Sequence, residues 1–177
     1  MAVEVLSGRN VIVFFREYNK KATEDASKLR FQTEYSISME KETESTVTKD
    51  GNINTINDGE NEAEITSLAY REDGETIETW KKLQDMFKRN ALVEMWQVDV
   101  TDVTKEKLDV TPDYFQGYFS SFELSAPADD KVELNYTYAI NGNGVTGEDK
   151  LSEEQLAMIE AAIYGYEKMA ATTVSEV

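Results

Sequence analysis

The chain contains no cysteine and no histidine. That excludes disulfide frameworks, thiol nucleophiles and zinc sites of the usual Cys/His type. The side chain that most often serves as a general base near neutral pH is missing too. Catalysis would fall to carboxylates, Lys, Tyr, Ser and Thr. Proline is scarce, with two residues in 177. Both, Pro112 and Pro127, flank a strand-like segment and fit turns. Positive charge is also thin: 18 Lys and Arg face 35 Asp and Glu, for a net charge of −17. Tight nucleic-acid binding needs phosphates neutralised by cations, so the chain is expected to repel DNA. Anionic membrane surfaces are disfavoured for the same reason. The apolar run Val11 to Phe15 is far too short to span a bilayer. Met1 to Asn10 lacks the apolar region and cleavage pattern of a secretory signal. The protein is therefore expected to be made and kept in a cytoplasm unless a larger particle carries it out.

What is present is the material of a core: 40% apolar and 10% aromatic residues. A disordered chain this acidic normally has fewer aromatics. Five segments show strand character, by a two-residue period or a short apolar run. Val11 to Tyr18 opens with a continuous apolar run and reads as buried on both faces. In Phe31 to Glu40, the residues Phe31, Thr33, Tyr35, Ile37 and Met39 alternate with Gln32, Glu34, Ser36, Ser38 and Glu40. Leu92 to Val100 puts Leu92, Trp96, Val98 and Val100 on one side. Tyr114 to Leu124 puts Tyr114, Tyr118, Phe122 and Leu124 on one face, and Phe115 and Phe119 on the other. Val132 to Ile140 alternates cleanly, and Asn61 to Tyr70 is a weaker sixth segment.

Ile77, Trp80, Leu83 and Phe87 recur at helical spacing, with Thr76 as N-cap. Ser152 to Gln155 matches a capping box, with Leu151 and Leu156 as the hydrophobic staple. Leu156, Ile159, Ile163 and Tyr166 extend that second helix as an apolar stripe. Between Lys41 and Glu60 lies a polar stretch centred on Asp50-Gly51, a strong hairpin signal. A long protruding hairpin or loop is expected there, flexible in the free subunit.

Several motifs reduce to structure. Gly142 to Gly147 is formally a G-x-G-x-x-G. About 30 residues follow it, too few for a nucleotide-binding fold. Glu148, Asp149, Glu153 and Glu154 would also repel a pyrophosphate. A tight turn is the better reading. Asp50 to Asn54 resembles the start of a calcium loop, but its sixth and twelfth positions are Thr55 and Asn61, not Gly and Glu. Asn135-Tyr136-Thr137 is a glycosylation sequon inside a strand. With 35 acidic residues, close carboxylate pairs arise by chance. The aromatics from Tyr114 to Phe122 suit a core better than a stacking platform, because no basic groove accompanies them. No cofactor or metal site is expected.

The order of features carries a resemblance. Gly8 to Arg16 forms a short first strand, and the Phe31 to Glu40 strand leads into the hairpin with Thr48-Lys49-Asp50-Gly51. One helix precedes Val93 to Asp99, and Tyr114 to Glu133 follows. From Ser7 to Gly144 this resembles the major tail protein family of phages, in particular siphophages infecting lactic-acid bacteria. The resemblance implies a mainly β fold: an antiparallel β-sandwich or partial barrel with one flanking helix and the long hairpin. It implies a tail-tube domain over 1–147, followed by a C-terminal helical extension over 148–177. It further implies a non-catalytic structural virion protein whose copies form rings, usually hexameric, stacked into a tube that conducts genome DNA. Tape measure, distal tail or initiator, and terminator proteins would be partners. On this reading Glu34, Ser36, Ser38, Glu40 and Glu133 line the lumen, and Thr48, Lys49, Asp50, Gly51 and Asn52 reach the next ring. A non-catalytic sandwich module binding sugar or protein, and a carboxylate hydrolase, are the competing readings.

Overall fold

A computed structural model of the protein describes residues 3–72, 78–161 and 169. Along the chain run β1 (Val11–Glu17), β2 (Ser27–Lys28), β3 (Gln32–Ser38), β4 (Lys41–Thr48), β5 (Gly51–Asp58) and β6 (Asn61–Leu68). Then come α1 (Thr79–Lys88), β7 (Val93–Asp99), β8 (Asp109–Val110), β9 (Asp113–Ser125), β10 (Glu133–Thr146), β11 (Asp149–Lys150) and α2 (Glu153–Glu160).

Seven strands form one antiparallel sheet in the order β2-β1-β7-β9-β10-β6-β3. The sheet curls until its two ends approach. Side chains bridge the remaining gap: Gln32 Nε2 donates to Val13 O at 3.2 Å, and the Tyr35 hydroxyl bonds to Gln97. Of the two architectures expected, this is the partial barrel. Alternation gives one face to the main core, where Val13, Phe15, Ile65, Met95, Leu134, Tyr136 and Tyr138 are buried beneath Leu83 and Met86 of α1. Burying each large side chain contributes roughly 1.5–3 kcal/mol. The Phe119 ring lies 5.4 Å from both Phe15 and Tyr138. The Tyr138 hydroxyl donates to Val93 O at 2.7 Å, which satisfies a polar atom in a fully buried ring.

Over β1 and β7 the opposite face is also covered. Ile12, Phe14, Ala26, Val98, Val110 and Leu151 form a second cluster, with Trp96 and Ile159 packed against it. The continuous apolar run at Val11 to Phe15 thus serves two cores, as its sequence requires. The capping box opens α2 as read: Gln155 N donates to Ser152 Oγ at 3.2 Å, and Ser152 N to Gln155 Oε1 at 3.0 Å. Thr76, Ile77, Ile163 and Tyr166 lie outside the described residues. α1 begins at Thr79 behind Glu78.

Local irregularities correct three expectations. Phe31 does not belong to the third strand: its φ is +56°, and Thr33 and Met39 are exposed, so only Tyr35 and Ile37 pack inward. A register shift in β9 between the partners of Thr137 and Tyr138 adds a residue at Ser120. Phe122 therefore joins Phe115 and Phe119 on the core side rather than opposing them. The Asn-Gly-Asn-Gly run does not reverse the chain. It is an irregularity within β10 between Asn141 and Val145, where Gly142 and Gly144 take φ of +68° and +74°.

Candidate functional site

Among the described residues, nothing packs on one large face of the sheet. By register it carries Glu34, Ser36 and Ser38 of β3, Glu62, Glu64 and Thr66 of β6, Glu133, Asn135 and Thr137 of β10, and Ser121 and Glu123 of β9. All five glutamates are exposed, and no Lys or Arg occupies these strand positions. Each glutamate sits opposite a neutral residue: Glu34 faces Thr66, Glu62 faces Ser38 and Ala139, and Glu64 faces Ser36 and Thr137. Glu123 faces Asn135, and Glu133 faces Ser125 and Leu68. Directly opposed like charges would destabilise the pairs. Carboxylates about 7 Å apart along a strand repel by only roughly 0.6 kcal/mol in water. The face is therefore strongly negative at a cost the fold tolerates. The structure gathers Glu34, Ser36, Ser38 and Glu133 on it. It adds Glu62, Glu64 and Glu123, which reading β3 and β10 one strand at a time did not pick out. Glu40 lies past the end of β3, exposed, at the root of the hairpin.

The hairpin is a two-stranded sheet of its own, with eight residue pairs from Lys41↔Asp58 to Thr48↔Gly51. It projects by about 27 Å at the usual antiparallel rise. Lys49 and Asp50 form the turn; Gly51 has φ of +128°, and the Thr48 hydroxyl donates to Gly51 O at 2.6 Å. Apart from half-buried Thr48 at the tip, every residue of both strands is exposed. Pairing assigns Thr43, Ser45, Val47, Asn52, Asn54 and Ile56 to one face, and Glu42, Glu44, Thr46, Ile53, Thr55 and Asn57 to the other. One face is neutral, with exposed Val47 and Ile56; the other is acidic.

The root of the hairpin is clamped. Lys41 pairs with Asp58 and holds its carboxyl below the usual range, with Asn143 contributing. Buried Asn61 donates to Gly142 O at 2.7 Å and Asn143 Oδ1 at 3.1 Å, and accepts from Glu40 N at 3.1 Å. Here the glycine-rich run of β10 finds its use: its distortion turns Gly142 O and the Asn143 side chain toward the hairpin. Gly59 is required as well, because a Cβ there would lie 2.7 Å from Glu40 O.

Two buried carboxylates, Glu17 and Glu94, are each paired with an arginine. Glu17 takes 2.9 Å bonds from Arg89 Nη1 and Nη2, which hold its pKa below the ordinary value. Glu94 accepts from Arg16 Nε at 2.8 Å and the Tyr114 hydroxyl at 2.7 Å, on the opposite face of the sheet.

Comparison with known proteins places these surfaces in context. The family model described as phage tail tube protein matches residues 5–146. A tail protein of Staphylococcus phage phiMR25 is 32% identical over 161 residues, covering 88% of this chain and 78% of that protein. The subunit of the SPP1 tail tube superposes with a TM-score of 0.69 at 18% identity, over 97% of this chain and 96% of that one. A tail subunit of a gene transfer agent, from a tail with C6 symmetry, gives 0.57 at 11% identity, over 81% of this chain and 99% of that one. At these identities the structural matches show a shared fold. The family match spans most of the chain, and the curled sheet beneath it is that of tube subunits. The chain thus belongs to the phage tail tube protein family, and it is a tube-forming structural protein of the virion.

Proposed function

We propose that copies of this chain close into hexameric rings that stack into a tail tube, with the acidic face of β9, β10, β6 and β3 turned to the lumen. The observation that carries the reading is that face: five exposed glutamates and no cation across four adjacent strands. DNA phosphates gain affinity from released counterions only where Lys or Arg replaces them. A carboxylate lining offers no such exchange, and the genome slides without sticking. Ring closure draws on the free edges. Among the described residues β3 has no outer strand partner, and β2 pairs only with Phe14 and Phe15 of β1, so a neighbour's strand can continue the sheet. The hairpin, with Thr48, Lys49, Asp50, Gly51 and Asn52 at its tip, reaches the adjacent ring. The role is non-catalytic, and the pairing of Glu17 and Glu94 with arginines favours that. Tape measure, distal tail or initiator, and terminator proteins meet the tube along its lumen and at its ends. Assembly takes place in the host cytoplasm, before the tail joins the virion.

Cryo-electron microscopy of assembled tubes tests the arrangement. Sixfold rings with Glu62, Glu64 and Glu133 facing the channel are expected. A tube in which these side chains face outward would sink the lumen assignment.

A further inference from the structure

The curled sheet does not close on itself. Among the described residues no backbone pair joins β1 to β3; only side chains cross the seam, Gln32 to Val13 O and Tyr35 to Gln97. Asn10 O accepts from Val100 N and Tyr18 N donates to Leu92 O, both on the β7 side. Alternation therefore turns the backbone N–H and C=O of Val11 and Val13 to the seam. Between the two edges lies a groove of about 610 Å³. Gly8, Arg9 and the start of β1 form one bank, and Gln32, Thr33, Glu34 and Tyr35 of β3 form the other. A single helical turn, Gly8–Asn10, precedes β1 and is closed by Asn10 N donating to Ser7 O at 2.9 Å. Ahead of that turn runs an arm, Val3-Glu4-Val5-Leu6, with the alternation of a strand at Val3 to Val5. Val3 is 97% and Val5 90% exposed, and Leu6 is exposed as well. The arm is rooted at the mouth of its own groove and stays outside it.

We infer that the arm Val3-Glu4-Val5-Leu6 of a neighbouring copy in the same ring enters this seam as an added strand, each copy giving its arm to the next. The inference rests on the ring-closure reading above and names the strand that continues the sheet. Three observations select this occupant. The lengths agree: the arm has four residues, about 13 Å at strand rise, and four residues of β3 line the groove. The backbone needs agree: an added strand gives partners to both free edges, and its N–H takes over Val13 O, which the Gln32 side chain holds in the subunit. The side chains agree: Val3 and Val5 share one face of an extended chain, and they leave water together when that face meets the seam. A copy that gives to one neighbour and receives from the other makes a head-to-tail contact, which closes into a ring by rotation.

The absence of native cysteine makes the test clean. Chains carrying Glu4→Cys or Val5→Cys are mixed equally with chains carrying Thr33→Cys or Glu34→Cys, assembled into tubes and mildly oxidised. The four pairings cover both faces of the arm. At least one should give a covalent dimer in tubes and about tenfold less in free subunits, since disulfides form only where Cβ atoms come within about 4.5 Å. A single chain carrying both cysteines of that pairing should yield linked species up to the hexamer and none longer. Longer species would show the arm passing between rings, and a monomer linked within itself would show it folding into its own groove. Either result overturns the assignment, as do tubes with no dimer in any pairing. Deleting residues 3–6, all exposed, should leave the melting temperature within a few degrees and abolish rings. A deleted chain that assembles like the parent also overturns the assignment. If the unmodified chain forms no rings even with its initiator proteins, the ring reading itself fails.

Discussion

At the residue scale, the most informative group is Glu17. Its side chain is buried, and both its oxygens are bonded to Arg89, which ties β1 to the end of α1. Hydrogen bonds to charged groups contribute about 1.5–3 kcal/mol, and a buried charge left unpaired costs more than the bond it loses. Arg89→Ala should therefore destabilise the subunit, read as a lower urea midpoint, because it leaves buried Glu17 unpaired. The pH dependence follows from the direction of the shift. Hydrogen bonding from Arg89, opposed by burial, sets the folded pKa below the ordinary 4.5. The stabilisation is thus fully present above about 4.5 and is lost as pH falls through the lowered folded value. Glu17→Gln should have a flatter stability profile between pH 5 and 3 than the parent; equal slopes would show that the pair contributes nothing. None of this was legible in the sequence. The buried acidic residues look like the other carboxylates until β1 and α1 are brought together. Phe31 teaches the same lesson: alternation assigns it to the core, and its positive φ puts it at the surface instead.

At the element scale, the hairpin was legible in full. Asp50-Gly51 and the weak strand character on either side fix a turn with two flanking strands. Its apparent lack of a core is real, since both of its faces meet solvent in the subunit. An isolated two-stranded hairpin is marginally stable in water. Its outer amides, beyond the clamp at Lys41, Asp58, Asn61 and Asn143, should exchange rapidly in the free subunit and become protected in tubes. Protection already present in the subunit would contradict this. Deleting residues 44–55 should leave the melting temperature within a few degrees while abolishing tube growth, as seen by electron microscopy. Strand faces were less legible than strands. The extra residue at Ser120 and the distortion at Gly142 to Gly144 change which side chains share a face. No period-two pattern announces a bulge, because what selects it is the partner strand.

At the scale of the whole molecule, the net charge is −17, and five exposed glutamates share the open face of β9, β10, β6 and β3. Replacing Glu62, Glu64 and Glu123 by Lys would put cations where the lumen is proposed to be clear of them. Tubes should still assemble, because none of the three is buried or opposed by another charge. DNA release from particles carrying that tube should slow markedly at low salt and recover at high salt, since phosphate contacts weaken steeply with ionic strength. Release indifferent to the substitution would remove the charge argument for the lining.

The sequence by itself determined the long strands, the hairpin, the capping box and the absence of thiol and imidazole groups. These depend on local periodicity and composition, which act over a few residues. Tertiary structure alone decided which strands became neighbours, and so which glutamates share one open face and which are buried against arginine. Neighbour relations across the sheet join residues such as Glu34, Glu64 and Glu133 that lie far apart along the chain. They are settled by burial and pairing of the whole sheet rather than by any segment read alone.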